Sequence, residues 1–131
     1  MLSKKEKVLL TSAVADGAST PMHVTDCDVV DFTVVGVGAT VTADVTFLRS
    51  SQDEAPNFNA AASATNRYTE VTIKDLLSGS AIAGGTGITL AAASTRAITL
   101  NDAGGHKWVG AKLDWTAGAI SIWASASNTA K

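Results

Sequence analysis

The sequence predicts an all-β protein, a single antiparallel β-sandwich of jelly-roll-like type, with an immunoglobulin-like sandwich as the alternative. Three observations predict it. Apolar and polar residues alternate with period two in one segment after another, which is the strand signature and not the helical one. Short runs of Gly, Asp and Ser separate those segments. The apolar content is 46 %, carried by Ala, Val, Ile and Leu among many Thr and Ser, while charged residues make up only 17 %, below the usual quarter.

The elements follow in chain order. Val8 to Val14 reads as an edge strand, preceded by Lys4, Lys5 and Lys7, whose charges discourage unwanted strand pairing. An Asp16-Gly17 turn then offers Thr20 to Val24 as its partner. In Asp28 to Gly36, Val30, Phe32 and Val34 share one face, with Asp31 and Thr33 on the other. Gly36-Val37-Gly38 reads as a turn, so this strand and Val41 to Phe47 are expected to form a hairpin. Thr69 to Leu77 alternates Val71 and Ile73 with Glu70, Thr72 and Lys74, and Thr95 to Leu100 is a short strand. Lys107 to Trp115 places Val109, Ala111, Leu113 and Trp115 together, Thr116-Ala117-Gly118 turns the chain, and Ala119 to Ala124 returns. The one helical candidate, Asn59 to Thr65, has no apolar stripe and is too short to stand as more than a loop or a single turn. Ser50 to Tyr68 and Gly79 to Gly87 read as long connections, the kind that often carries contacts.

At 131 residues the chain is expected to be one domain, 1–131, with 1–7 as a basic N-terminal arm. A chain of this size buries about two-thirds of its surface, enough for one core without disulfides or metal. The net charge of −2 argues against a nucleic-acid or anionic-membrane surface, and no apolar run reaches the ~18 residues of a transmembrane helix. The stretch after the N-terminal lysines is too polar for a signal peptide, so an unprocessed chain made in a reducing cytoplasm is expected.

Catalytic arrangements are not evident. The single cysteine, Cys27, excludes an internal disulfide and reads as a small half-buried residue, not a nucleophile. His23 and His106 have no metal-site spacing, and His106, after Gly104-Gly105, reads as a solvated turn residue. Asp26, Asp28 and Asp31 lack the glycine of a calcium loop, and Glu6, Glu54 and Glu70 stand in exposed-looking contexts. No nucleophile elbow is present, and Gly84 to Gly87 lacks the lysine and helix of a phosphate cradle. The expectation is no enzyme, no cofactor and no metal.

The tryptophans carry more information. Trp115 shares the face of Val109 and Leu113 and reads as core. Trp108 and Trp123 fall on the opposite faces of their strands, so both are expected on one outward sheet face. Three readings stay open for them: a protein interface, coverage by a second sheet, or a stacking platform for sugars.

The assembled pattern resembles a group of small bacteriophage virion proteins built as single β-sandwiches. The resemblance runs from about Val8 to Ser127. It rests on the Ala-Asp-Gly-Ala-Ser turn at 15–19, the strands Val29 to Gly36 and Thr40 to Phe47, the run 49–53, and the closing pair at 108–113 and 116–122. It implies a non-enzymatic structural role in a virion, as a capsid-decoration, head-associated or small tail protein made in the host cytoplasm. The implied partners are further copies of itself, in a symmetric homo-oligomer with a trimer favoured, and virion proteins such as the major capsid protein.

On that reading the contact residues are Trp108 and Trp123 with the loop around Pro56, Asn57 and Phe58. Phe58 either inserts into a neighbouring subunit or packs over its own core. Lys4, Lys5 and Lys7 either dock on an acidic capsid surface or form a solvated terminus. The alternative function is a carbohydrate- or surface-binding module stacking sugars on Trp108, Trp123 and Tyr68, with Lys112, Asp114 and Arg67 beside the rings.

Overall fold

Period-two alternation implies that a strand keeps one face to the core for as long as its phase is unbroken. Two strands here break phase midway. The computed structural model describes residues 4–100 and 106–128, without the Lys4 side chain. Among these are ten strands: β1 (Lys4–Ala13), β2 (Gly17–Ala18), β3 (Met22–His23), β4 (Val29–Ser50), β5 (Thr69–Glu70), β6 (Ile73–Asp75), β7 (Ala81–Ile82), β8 (Ile88–Leu90), β9 (Ser94–Leu100) and β10 (Trp108–Ser127). In β4 the side chains of the core cluster are Val30, Phe32 and Val34 and then Val41, Ala43, Val45 and Phe47: even residues first, odd residues afterwards, with Leu48 and Ser50 buried outside that cluster. β10 changes phase too, from Val109, Ala111 and Leu113 to Ile120, Ile122, Ala124 and Ala126.

The phase change is made by a bend that the two strands share. They pair antiparallel throughout, but the register jumps from Ala117↔Thr42 to Ala119↔Val37, so residues 38–41 lie opposite Gly118 alone. Gly118 has φ +91°, and a Cβ there would meet Val41 Cγ2 at 2.8 Å, so the close packing of the bend requires glycine.

The expected hairpins at 36–38 and 116–118 are therefore not present. Each glycine segment bends one continuous strand instead of reversing it. The bend folds a single hydrogen-bonded sheet into two layers over one core. One layer runs β1, β10 (second half), β4 (first half), β9, β6, β7. In the other, β10 (first half) pairs with β2 and β3, while β4 (second half) pairs with β5 and β8. Phe32 of the first layer and Phe47 of the second meet across the core with centroids 4.6 Å apart and planes tilted by 43°. The fold is all-β and antiparallel, as the alternation predicts.

Several local expectations are corrected. β1 is an edge strand, but β3 pairs with β10 and not with β1. The segment read as a basic arm is, from Lys4, a paired strand, with Lys4 opposite Ser127; residues 1–3 lie outside the described residues. Thr69 to Leu77 divides into β5 and β6, which pair with different strands, and β7 and β8 arise in and beside the stretch read as a flexible connection. Asn59 to Thr65 is loop, with one Ser63↔Asn66 bridge.

Candidate functional site

The connection 51–68 has a composition that suggests mobility, yet its polar side chains tie it to its own sheet. Asn59 Oδ1 accepts from the Ala18 amide at 2.8 Å and its Nδ2 donates to the Ala18 carbonyl at 3.0 Å, so one side-chain amide pairs with β2 as another strand would. Gln52, buried, accepts from the Arg67 amide at 2.7 Å and donates to Glu54 O at 2.9 Å. Asn57 and Asn66 exchange two further bonds, of 2.8 and 2.9 Å. The loop lies on the outer face of the second layer. Phe58, only 3 % exposed, occupies the space above Gly110, where a Cβ would stand 2.5 Å from its ring. Tyr68 meets that ring edge-on at 5.3 Å and donates its hydroxyl to Ala60 O at 2.6 Å.

Of the expected contact loop, Pro56 and Phe58 are thus buried within their own chain, and the Asn57 backbone and side chain are engaged inside the loop. For Phe58, packing over its own sheet is the arrangement found.

Trp108 and Lys5 do come together. The edges of the two layers, at β1 and β3, leave a groove of about 560 Å³ lined by Lys5, Glu6, Lys7, Pro21, Met22, His23 and Trp108. Lys7 Nζ donates to Pro21 O across it at 3.0 Å. Trp108 is half-buried, donates Nε1–H to Gln52 O at 3.1 Å, and packs against His23 at 4.7 Å.

Trp108 and Trp123 do not share a face. Each points away from the core, but from different layers, because β10 bends between them. The rings read as a sugar platform are accordingly split: Tyr68 and Trp108 accompany the 51–68 loop on one layer, Trp123 stands on the other. Trp115, at the bend, packs against the core and donates to Gly118 O at 2.6 Å.

Trp123 is the exposed aromatic, at 42 %, and its cross-strand neighbour Val8 is 46 % exposed. Register extends this pair into a row across the outer face of the first layer: Val8, Trp123, Thr33, Ala97. Leu76 continues it, its amide donating to Ala97 O at 3.0 Å and its side chain 51 % exposed. Next to it Leu77, 92 % exposed, sits in a turn held by Asp75. The Leu77 amide donates to the Asp75 carboxylate at 2.9 Å, and this bond, with the Arg96 ion pair at 2.8 Å, holds that carboxyl below the usual range against the opposing effect of burial. Sequence reasoning missed Val8, Leu76 and Leu77; the available signal was the Leu76-Leu77 doublet, which breaks the alternation just before Ser78-Gly79.

His106 is buried, not solvated, and lies 2.9 Å from Arg49 Nη1. Arginine only donates, so this contact uses His106 Nδ1 as the acceptor. The pair borders a groove of about 650 Å³ with Glu70, Lys74 and Thr99. Cys27 is buried; desolvation, aided by Asp26 and Asp28 against Lys5, pushes its thiol up, away from nucleophilic character. Lys107 donates to Asp53 and lowers that carboxyl, but Asp53 is so exposed that water screens the pair.

No protein-family model matches the sequence, and no curated protein matches it either. Solved structures do share the fold. The SPBc2 prophage-derived protein YomS superposes with a TM-score of 0.72 at 8 % identity, over 98 % of this chain and 96 % of that one. The PBSX exported protein XepA gives a TM-score of 0.72 at 12 % identity, over 97 % of this chain. There the chain spans only 38 % of the other protein's length, so the same sandwich is one part of a larger molecule. At such identities the likeness establishes the fold and nothing finer.

Proposed function

We propose that the chain is a non-enzymatic structural component of a bacteriophage particle, a capsid-surface or head-associated protein that works through protein–protein contacts. The observation that carries the contact reading is the pair Val8 and Trp123, large apolar side chains exposed at 46 % and 42 % on a rigid sheet face. Support for the phage setting comes from the fold, shared from end to end with one prophage-derived protein and with part of another phage protein. The Cys27 thiol is buried with its pKa pushed up, and His106 is engaged by Arg49. The partners are further copies of the chain and the capsid proteins around it, and the place of action is the virion.

The test is location. Antibody to the chain is applied to density-purified particles released by a host carrying the gene. Label that co-sediments with heads is the expected result. Recovery only in the particle-free medium overturns the virion role in favour of a freely exported protein.

A further inference from the structure

We propose that the groove where β4 ends and β5 begins is a phosphate site, which takes the dianionic phosphate group of a small organic ester between Arg49 and Arg67. The site is separate from the contact face argued above and stands or falls independently of it.

The groove has a volume of about 350 Å³ and is lined by Arg49, Arg67, Tyr68, Thr69 and the segment 50–52, with no acidic residue on its wall. Arg49, one residue before the end of β4, pairs with Thr69 of β5, and Arg67 lies two positions before that partner. The backbone of Arg67 is fixed: its amide donates to Gln52 Oε1 at 2.7 Å and its carbonyl accepts from Ser50 Oγ. Each guanidinium donates to the chain through one nitrogen. Arg49 Nη1 reaches His106 Nδ1 at 2.9 Å, and Arg67 Nη1 reaches Ala64 O at 2.7 Å. An arginine carries five N–H donors in a planar fork, so most donors of both side chains have no acceptor among the described residues.

Neither guanidinium has a carboxylate within ion-pair distance among the described residues, although Arg49 is half-buried. A cation drawn out of water is ordinarily paired, so this arrangement calls for an anion. The carboxylates nearby answer to other groups. Asp53 and Glu54 border Arg67 in a different groove, and Asp53 is bound by Lys107 and senses Arg67 only through its field. Glu70 holds Oε2 3.1 Å from the place of a Gly85 Cβ.

Two cations lining one small groove repel each other, and an anion between them removes that cost. A phosphate ester carries nearly two negative charges at pH 7 and three acceptor oxygens, which suits two guanidinium forks better than a singly charged carboxylate does. The volume is at the low end for small-molecule sites, so a phosphate leaves room for only a small organic fragment. Tyr68, held by its bond to Ala60 O and by the Phe58 ring, gives that fragment a fixed wall.

Titration of the full chain with inorganic phosphate and with glycerol 3-phosphate, followed by nitrogen-15 NMR in phosphate-free buffer of low ionic strength, tests this. The expected result is a saturable shift of the Arg49 and Arg67 Nε–H signals and of the Thr69 amide, with a Kd of about 0.1–10 mM. Glycerol, and sodium chloride at matched ionic strength, give no saturable shift. Arg67→Gln, at an exposed position, weakens binding by roughly tenfold, and Arg67→Lys restores only part of it because the fork is lost. Arg49→Gln weakens it at least as much, with circular dichroism confirming that the variant folds. Lys74→Gln, which removes a cation from the neighbouring 650 Å³ groove, leaves the affinity unchanged. An ester that binds several-fold tighter than inorganic phosphate identifies the ester as the ligand; equal affinities assign the site to free phosphate. Absence of saturation at about 20 mM, shifts centred away from Arg49 and Arg67, or undiminished binding in Arg67→Gln overturns the site.

Discussion

Gly110 and Phe58 form a lock between strand and loop whose strength can be worked from the structure. A Cβ at residue 110 would lie 2.5 and 2.7 Å from two Phe58 ring carbons and 2.9 Å from Ser19 Oγ, all well inside contact distance. The ring cannot simply lift. It is 3 % exposed, with Tyr68 edge-on at 5.3 Å and the loop anchored by Asn59 on β2. Overpacking of this kind costs about 1–3 kcal/mol, so Gly110→Ala is expected to destabilise by that amount despite the usual ~0.5–1 kcal/mol advantage of Ala over Gly inside a strand. Phe58→Ala removes the ring and costs about 3 kcal/mol, the lower end for a buried Phe because the site is a loop on an outer face. In the double variant the two ring contacts are gone and only the 2.9 Å approach to Ser19 Oγ remains. The two effects are then non-additive, with a coupling of about 1–3 kcal/mol in the direction of rescue. Urea unfolding of wild type, both single variants and the double variant, fitted with a common slope, measures the cycle. Additive costs within ~0.5 kcal/mol would mean that Phe58 does not rest on Gly110, and the account of the loop as part of the sandwich would fail.

Three further outcomes follow from other parts of the molecule. The Asp75 carboxyl titrates below its ordinary value in the folded protein, so its contribution to stability is present above about pH 4 and is lost as pH falls through the lowered value; Asp75→Asn should flatten that acid limb in pH-dependent unfolding, and an unchanged acid limb would dismiss the Leu77 and Arg96 contacts as its source. Asn59→Ala removes two hydrogen bonds to Ala18 and should cost about 1–2 kcal/mol, read as faster exchange of the Ala18 amide and earlier proteolysis within 51–68; equal protection in both proteins would contradict the anchoring role. Cys27, buried with its thiol raised, should react with a disulfide reagent near pH 8 far more slowly in the native protein than in urea, and equal rates would show that the thiol is open to solvent.

What the sequence determined by itself is what depends on neighbours along the chain. Alternation in Asp28 to Gly36 and in Val41 to Phe47 identified the inward residues correctly, because side-chain direction in a strand is set two residues at a time. The same holds for Val109, Ala111 and Leu113, for Ile120 and Ile122, and for the outward Trp123.

What only the tertiary structure decided is whatever depends on pairing across the chain. Gly36-Val37-Gly38 and Thr116-Ala117-Gly118 have the freedom to turn or to bend, and no local signal separates the two. The choice falls to the bend because β4 and β10 pair along nearly their whole lengths, and a reversal at either point would break that ladder. Alternation within each strand places Trp108 and Trp123 on one face, whereas the excess residues at the bend turn the second half of β10 into the opposite layer. Phe58, apolar in a polar loop, finds its site on Gly110, 52 positions away along the chain. The Val8 and Leu76 ends of the exposed row come from strands 68 positions apart, placed on one face by β10, β4 and β9 between them. Local chemistry shaped each strand; the non-local hydrogen-bond ladder decided which strands became neighbours and which faces remained in water.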